Sequence, residues 1–205
     1  MSLWARHVLP RLTERAAQSP SIVIERRRWV PRAHGRVLEL GVGSGLNLAF
    51  YDPARVAAVT GIDPSPPLLR RAAPRAIRAR VPVTLVEGVA ERLPFDPGSF
   101  DSALVTYSLC SMHEPARALA EVRRVLRPGG ELVFVEHGLA PDPATRWWQH
   151  QLSPIWRRVA GGCRLDHDVL AVLRGAGFAV DELTACYSGT VRVMSYTYQG
   201  TARPV

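Results

Sequence analysis

The fold of this chain is decided by residues 37–47, which read VLELGVGSGLN. The first four are mostly apolar and predict a buried β-strand. Three glycines follow with the spacing G-x-G-x-G, at Gly41, Gly43 and Gly45. Because glycine adopts positive φ and has no Cβ, such a turn lets a ligand approach the backbone closely. The apolar residues after the turn predict a helix from about Asn47 to Val56, so the whole stretch predicts a nucleotide-binding corner.

The spacing of the glycines separates two classes of cofactor. A dinucleotide-binding turn has G-x-G-x-x-G, in which the third glycine allows the helix to pack closely beside a pyrophosphate. Here Gly45 comes one residue early, and Leu46 stands where that pattern has Gly or Ala. Glu39 lies on the strand before the turn, where S-adenosylmethionine enzymes commonly carry an acid. The stretch resembles the first motif of class I S-adenosylmethionine-dependent methyltransferases, which implies that Glu39 and the three glycines bind this cofactor, with S-adenosylhomocysteine as the product.

Length and composition predict a single domain spanning 1–205. Hydrophobic residues make up 47% and charged residues 21% of the chain, as in ordinary globular proteins. No apolar run approaches the roughly 18 residues that span a bilayer, so no transmembrane segment is expected. The N-terminus lacks the order of basic, apolar and small residues found in a secretory signal. A location in the cytoplasm is therefore expected.

The net charge of +8 is carried by arginine, since all 26 basic residues are Arg. Such a charge raises the question of nucleic acid or an anionic membrane surface as a partner. The arginines are scattered, and no strand interleaves aromatic with basic residues as a nucleic-acid platform requires, so no nucleic-acid partner is expected. Cys110, Cys163 and Cys186 are widely separated and form no C-x-x-C pair. They predict free thiols in a reducing compartment and no metal site.

Residues 1–30 precede the first strand and predict an N-terminal helical lid. Apolar residues recur at helical spacing between Leu3 and Leu12, which indicates an amphipathic helix that Pro10 kinks or divides. A second helix is predicted at Ser21–Val30. Three roles are open for this segment: a lid over the cofactor, a peripheral contact with a membrane surface, or simple packing against the core.

The second predicted strand, residues 57–63, ends in an acid. Asp63 falls about 20 residues past the glycines, where a doubly wound sheet places the carboxylate that accepts hydrogen bonds from both ribose hydroxyls. Capping of the next helix, predicted at Leu68–Arg80, is the alternative role for Asp63. A third strand follows at residues 83–88.

The segment after the third strand resembles the adenine-binding segment of the family. It reads VAERLPF at residues 89–95, with Val89 in place of the acid of the family pattern. The resemblance therefore implies that adenine is read by the backbone beside Ala90 or by Glu91.

The fourth predicted strand begins at Phe100 and ends in the stretch TYSLCSMH, residues 106–113. In an open α/β sheet the carboxyl edge forms the binding crevice, so these side chains are expected to face the methyl group or the acceptor. We assign Thr106 and Leu109 to the cofactor side, and Tyr107 and Ser111 to the acceptor side. The stretch lacks the Pro-Pro-aromatic tetrad of methyltransferases that act on base or amide nitrogens, which disfavours methylation of nucleic-acid amino groups.

Helix 115–126 is predicted next, followed by the turn LRPGG and a fifth strand that ends at His137. This turn is a specific signature of class I methyltransferases. His137 should look into the same crevice, where it is a candidate general base or a wall of the acceptor site. A histidine at a strand end also commonly caps a neighbouring helix.

Residues 140–165 are predicted to form a helical insertion on the acceptor side. A helix at Thr145–Val159 is dense in tryptophan, which suggests a pocket wall, although core packing accounts for at least one ring. The loop 161–166 follows, with Asp166 expected to cap a helix at 167–174. Residues 178–187 and 191–199 then predict a hairpin that supplies strands six and seven.

The resemblance implies an α/β fold: a Rossmann-like, doubly wound sheet of seven strands in the order 3-2-1-4-5-7-6, with strand 7 antiparallel and helices on both faces. The E-H-G order at strand five, the tryptophan-rich helix and the G-G-C-x-L loop are more particular. Together with L-C-S after strand four, they resemble the methyltransferase-like thiol S-methyltransferases and their bacterial relatives. The residues that carry this likeness are Trp147 or Trp148, Gln151, Pro154, Trp156, Gly162, Cys163 and Leu165.

This resemblance implies methyl transfer to a small molecule, most simply a thiol or sulfide, with Trp147, Gln151 and Trp156 lining the acceptor pocket. Animal members carry an N-terminal hydrophobic anchor that is not seen here, so membrane location is not carried over. A thiol is partly ionised at neutral pH and needs no strong base, whereas a hydroxyl or amine would need one. A quinone, a phospholipid headgroup or a specialised metabolite is the alternative acceptor. A non-catalytic binding protein and a nicotinamide oxidoreductase are less favoured, and the oligomeric state is not predicted.

Overall fold

The computed structural model describes residues 14–205, which form one seven-stranded sheet in the order β3-β2-β1-β4-β5-β7-β6. The strands are β1 (Gly35–Leu40), β2 (Val56–Asp63), β3 (Val83–Glu87), β4 (Phe100–Thr106), β5 (Leu126–His137), β6 (Phe178–Tyr187) and β7 (Tyr196–Pro204). The helices are α1 (Pro20–Trp29), α2 (Pro66–Ile77), α3 (Pro115–Val125), α4 (Pro143–Val159), α5 (Val169–Gly175) and α6 (Arg192–Ser195). Short 3₁₀ turns lie at Val30–Arg32 and Leu109–Ser111.

The predicted topology is confirmed. Strands β1 to β5 pair in parallel, and β7 runs antiparallel between β5 and β6. Because the carboxyl ends of parallel strands meet at one edge, the turns after β1, β2, β4 and β5 all open on the same side of the sheet. The chain order reverses between β1 and β4, which places the crevice of the sheet between these two strands.

Alternating side chains of the central strands pack against helices on both faces of the sheet. Leu38 and Phe134 belong to one buried cluster, which also contains Leu119 of α3. Val37 and Val133 belong to a second cluster, on the opposite face. The central strands are therefore buried on both faces, as their nearly continuous apolar sequences require.

The predicted helix at 47–56 is wrong. The chain from Val42 to Phe50 instead forms successive tight turns, in which the N–H groups of Gly45, Leu48 and Phe50 each donate to the carbonyl three residues earlier. Two features of the sequence explain the difference. A helix over that range would hold Pro53 in its interior, where the ring clashes with the preceding turn, and Val56 already begins β2.

The predicted hairpin at the end of the chain has different boundaries. Residues 192–195 form the short helix α6, and β7 runs from Tyr196 to Pro204. This later start lets β7 pair with β6 along its length while its residues 197–202 pair with β5. The boundaries of β7 are therefore set by its pairing with a strand on each side.

The predicted cap of the helix after residue 166 is also wrong. Asp168 is the N-cap of α5, and its side chain accepts a hydrogen bond from the Ala171 N–H. Asp166 instead accepts hydrogen bonds from Ser153 and His150 of α4. Its carboxylate therefore joins the helical insertion to the loop that follows it.

The segment before β1 is partly described. The helix predicted at Ser21–Val30 is present as α1, whereas the amphipathic helix predicted between Leu3 and Leu12 lies outside the described residues. None of the helices in residues 14–205 is long and apolar enough to cross a membrane.

Trp29 fastens α1 to the sheet. Its side chain is fully buried, and its indole N–H donates to Gln199 Oε1 of β7 at 2.7 Å. The guanidinium groups of Arg28 and Arg32 each lie 5.2 Å from the ring centre. Helix α1 is therefore joined to the sheet by a buried contact.

We predict that Trp29→Ala lowers the free energy of unfolding by about 3–5 kcal/mol, because it leaves a cavity and an unpaired Gln199 amide. Urea unfolding followed by circular dichroism measures the change. Ile24→Ala on the same helix is the matched control, since Ile24 is 66% exposed and its loss should cost less than about 0.5 kcal/mol. Equal costs for the two variants would contradict a buried anchor at Trp29.

Candidate functional site

The glycine turn adopts the conformation that its sequence predicts. Gly41, Gly43 and Gly45 all have positive φ, at 64°, 54° and 78°. A Cβ on Gly41 would collide with the Ser108 side chain, and one on Gly45 would come within 2.9 Å of Leu48. Among residues 14–205, a Cβ on Gly43 would meet only the Gly41 carbonyl oxygen, at 3.8 Å. The open side of the turn is therefore at Gly43, where a ligand can reach the backbone.

Asp63 lies at the end of β2, next to this opening. Its Oδ2 accepts a hydrogen bond from the Gly43 N–H and its Oδ1 one from the Ser65 N–H, each at 2.9 Å. Burial raises the pKa of the Asp63 carboxyl, and these two N–H groups oppose that shift. The N-cap of α2 is Ser65, so the alternative capping role does not describe Asp63. Each oxygen keeps a second lone pair, which suits a ribose hydroxyl.

Glu39 is the centre of a buried hydrogen-bond network. Its Oε1 accepts from the Asn47 amide and its Oε2 from the Tyr51 hydroxyl, both at 2.8 Å. Asn47 also donates to Thr106 Oγ1 at 2.9 Å and accepts from Arg26 Nε at 2.8 Å. Burial raises the pKa of Glu39 to about 7, against the effect of these hydrogen bonds and of Arg26. Because Glu39 is only 1% exposed and is surrounded by these buried donors, the structure favours an indirect role in which Glu39 positions Asn47 and Thr106.

The two residues predicted on the adenine side have different environments. Ala90 is buried in the core cluster beside α3, so only its backbone is available to a ligand. Glu91 accepts hydrogen bonds from the backbone N–H groups of His113 and Glu114, at 3.0 and 3.2 Å. Its carboxylate therefore holds the loop before α3, and its reading of adenine stays a prediction.

The loop after β4 is tied to the neighbouring strand. Tyr107, which has a φ of 53°, donates its hydroxyl hydrogen to Glu25 of α1, and its ring stacks on that of His137 with 6.4 Å between centres. The backbone N–H groups of Ser108 and Leu109 donate to Glu136 Oε1 at 2.7 and 3.0 Å. The positive φ and these bonds turn the chain sharply after β4, so the residues beyond it face the edge of the sheet.

A sulfur and imidazole cluster lies at this edge. Cys110 Sγ and Cys163 Sγ are 3.6 Å apart, and His137 Nε2 lies 3.0 Å from Cys163 Sγ. The Cys110 thiol donates toward Cys163 and, with His137 and Trp156, lowers the pKa of the Cys163 thiol to about 4 despite its burial. Burial lowers the pKa of His137, but the Cys163 sulfur outweighs this effect and raises it overall. All three cysteines are free, and Cys186 lies apart at the surface.

The helical insertion presents a different face from the one predicted. Its buried side contains Thr145, Gln149 and Ser153, and Gln149 bonds to backbone groups at Gly138 and Ala140. Trp156 is half-buried and contributes to the low pKa of Cys163, which places its ring at the cluster. Trp147 is 54% exposed and Gln151 is exposed, so their role in the acceptor pocket stays a prediction.

Ser111 is exposed at the end of the 3₁₀ turn, where its hydroxyl donates to the Ser108 carbonyl at 2.9 Å. The Ser111 carbonyl lies against Gly162 of the insertion loop, close enough that a Cβ there would stand 3.2 Å away. The predicted acceptor-side serine therefore packs against the loop that carries Cys163.

Several residues of the site were missed by sequence reasoning. The cysteines Cys110 and Cys163 lie 53 positions apart, so no local spacing joins them. Both stand inside the L-C-S and G-C-x-L motifs, which were the available signal. Arg26 and Asn47 gave no signal, because their partners are distant in sequence: Asn47 is 21 positions from Arg26, and Thr106 is 59 positions from Asn47.

Comparison with known proteins agrees with this geometry. Residues 38–134 match the family described as methyltransferase domain. Human thiol S-methyltransferase TMT1B is 36% identical over 155 residues, which cover 72% of this chain and 62% of the relative. A phosphatidylethanolamine N-methyltransferase of Cereibacter sphaeroides is 40% identical over 110 residues, covering 50% of this chain and 51% of the relative. The chain thus spans less than two thirds of the length of both relatives.

A solved S-adenosylmethionine-dependent methyltransferase from Mesorhizobium loti shares the fold, with a TM-score of 0.68 and 20% identity over 90% of this chain and 99% of that one. The matched family, the relatives and the order of the sheet agree with one another. The chain belongs to the class I S-adenosylmethionine-dependent methyltransferases.

Proposed function

We propose that this protein transfers a methyl group from S-adenosylmethionine to a small thiol or sulfide. The choice of acceptor rests on how much of this chain aligns with each relative. The thiol S-methyltransferase aligns over 72% of the chain, whereas the phospholipid enzyme aligns over 50%. The longer alignment is what a shared acceptor side would produce, because the cofactor half of the fold is common to both classes.

The cofactor fits the residues at the glycine turn. The space above Gly43 leaves room for a ligand against the backbone, and Asp63 and the backbone at Ala90 lie at the ends of the neighbouring strands. Thr106 ends β4, and Leu109 follows in the next loop; the Leu109 side chain is fully buried, so only its backbone can meet the cofactor. When bound, the cofactor supplies a methyl group made electrophilic by its sulfonium. The protein then has to hold the acceptor in line with that methyl group, and positioning of this kind is worth roughly 7–11 kcal/mol in favourable cases.

The imidazoles at this edge suit an acceptor that needs no strong base. His137 is engaged by Cys163 at 3.0 Å. Burial and the nearby Arg164 hold the pKa of His167 at about 4, which makes it a weak base at neutral pH. Neither of these two imidazoles is therefore suited to act as a strong base. A thiol, which ionises near neutrality by itself, is the acceptor class that this arrangement favours.

A second candidate function is methylation of a lipid headgroup. Helix α4 exposes large apolar side chains to solvent: Trp147, Trp148, Leu152 and Ile155. Arginines on the same helix, Arg146, Arg157 and Arg158, would suit an anionic lipid surface. This face and the phosphatidylethanolamine relative support the candidate.

We predict that labelled S-adenosylmethionine methylates sulfide or an alkyl thiol, in an assay that also offers a quinol and phosphatidylethanolamine vesicles. The expected product is methanethiol from sulfide or a methyl thioether from the alkyl thiol, detected by mass spectrometry. Transfer to the quinol or the lipid with none to either thiol would overturn the thiol proposal. Transfer to the lipid alone would select the second candidate.

The cofactor site makes a separate prediction about Gly43. We expect Gly43→Ala to weaken S-adenosylhomocysteine binding at least tenfold, since its Cβ fills the open side of the turn. Isothermal titration calorimetry measures the affinity, and thermal unfolding measures the stability of each variant.

Gly129→Ala is the matched control for this variant. Gly129 also has a positive φ, at 78°, and a Cβ there would meet nothing within 4 Å. Both substitutions should carry a similar backbone strain of about 1–2 kcal/mol, but only the one at Gly43 should change the affinity. An unchanged affinity at Gly43 would place the cofactor elsewhere.

A further inference from the structure

Cys110, His137 and Cys163 bring three metal-ligating atoms together from three separate segments. The two sulfurs and the histidine nitrogen all lie within 4.8 Å of one another. Two metal–sulfur bonds of about 2.3 Å at a tetrahedral angle place their sulfurs about 3.8 Å apart. The observed sulfur separation of 3.6 Å is already close to that value. The His137 nitrogen, at 3.0 Å from Cys163, would have to move outward by about half an ångström.

The backbone holds the two cysteines against each other. The Arg164 N–H donates to the Cys110 carbonyl at 3.0 Å, and its guanidinium reaches the Met112 carbonyl at 3.3 Å. Gly162 lies against the Ser111 carbonyl so closely that a side chain there would be crowded. The insertion loop is thus fastened to the turn after β4 on both sides of Cys163. The sulfur pair is therefore pre-organised, and does not depend on a chance approach of two mobile side chains.

A buried carboxylate next to the cluster points independently to a cation. Glu136 is completely buried, and its Oε2 has no hydrogen-bond partner among the described residues. It directly precedes His137 in the chain, so it lies beside the cluster. An unpaired polar atom in the interior is costly, and proteins rarely leave one without a purpose. A positive ion between the two sulfurs and the imidazole would offset the negative charge gathered there.

We propose that Cys110, His137 and Cys163 bind one thiophilic divalent metal ion, with zinc as the ion expected in a cell. Two thiolates and an imidazole form the ligand set that zinc prefers. Structural zinc sites usually have four protein ligands, whereas catalytic sites have three and leave one position open. Among residues 14–205 this cluster contains three ligands, which corresponds to the open kind.

The open position takes the acceptor sulfur, a role that rests on the proposed thiol methylation. A thiol coordinated to the metal loses its proton, because the positive ion stabilises the thiolate. That sulfur then forms a bond to the methyl carbon while the bond between the methyl carbon and the sulfonium breaks. The electron pair of the broken bond stays on the cofactor sulfur, so the products are the methyl thioether, S-adenosylhomocysteine and the proton released on coordination. A neutral thioether is a weaker ligand than a thiolate and leaves the metal.

The metal ligands lie at the same edge of the sheet as the cofactor residues, as this reaction requires. Cys110 lies four residues after the end of β4 and His137 ends β5, so both are at the carboxyl edge that holds the cofactor residues. Ser108 of the same loop donates to the Gly41 carbonyl at 3.4 Å. One short loop thus connects the glycine turn to the metal ligands.

Metal binding is tested on the full chain, reduced with a phosphine and freed of metal, by titration with cobalt(II). We expect one equivalent of cobalt per chain, with the sulfur-to-cobalt charge-transfer absorption of thiolate ligands and displacement by added zinc. Cys110→Ser and Cys163→Ser should each lose that absorption and weaken binding at least about 100-fold. Cys186→Ser is the matched control, because Cys186 is exposed and apart from the cluster, and it should behave as the parent protein.

S-adenosylhomocysteine affinity, measured on each variant, shows whether it is folded. If a serine variant fails this check, His137→Gln serves in its place and should also lose the tight cobalt site. Absence of cobalt binding by a parent protein that binds S-adenosylhomocysteine would overturn the metal site, as would unchanged binding in folded variants of the ligands.

The metal site and the proposed function fail in different ways. Stoichiometric cobalt binding without any thiol methylation would leave the metal site standing and reject the acceptor. Thiol methylation at full rate in protein from which a chelator has removed the metal would contradict the role of the metal. It would at the same time support a thiol as the acceptor.

Discussion

The carboxylate of Glu136 is the constraint on which the two halves of the site depend. It is buried at the end of β5, and one of its oxygens accepts the backbone N–H groups of Ser108 and Leu109. These bonds set the course of the chain after β4. Because that chain then meets Gly41 and presents Cys110, the cofactor turn and the sulfur cluster share one support. A completely buried carboxyl group that accepts two backbone N–H groups is strongly oriented, so this support is stiff.

Buried polar contacts also join helix α1 to the sheet. Arg26 reaches Asn47 beside the glycine turn, while Glu25 accepts hydrogen bonds from Tyr107 and Gln199. Leaving any of these buried polar groups without a partner would lower the stability of the fold, so the hydrogen bonds support one another. Helix α1 therefore belongs to the wall of the site.

Much of the fold could be predicted from the sequence, because the patterns that indicate strands and glycine turns each lie within a short stretch of residues. The G-x-G-x-G turn, the acid at Asp63 and the LRPGG turn each lie within a few residues, and together they carry the resemblance that implies the strand order. Contacts between distant segments could not be predicted. The sequence around Cys110 does not indicate that Cys163 is its neighbour. Gln149 could not be recognised as one of the three buried residues of α4, because aromatic and polar residues are distributed along the whole helix.

The exposure of the tryptophans on α4 bears on how an acceptor is held. In the proposed thiol reaction the acceptor sulfur would lie at the cluster around Cys163, beside the half-buried Trp156. Trp147 and Trp148 are 54% and 53% exposed, and a part for Trp147 in the acceptor pocket stays a prediction. An acceptor with a long apolar body could use both regions, its sulfur at the cluster and its body along α4. The size of the acceptor, more than its sulfur chemistry, is therefore what the outer face of α4 would select.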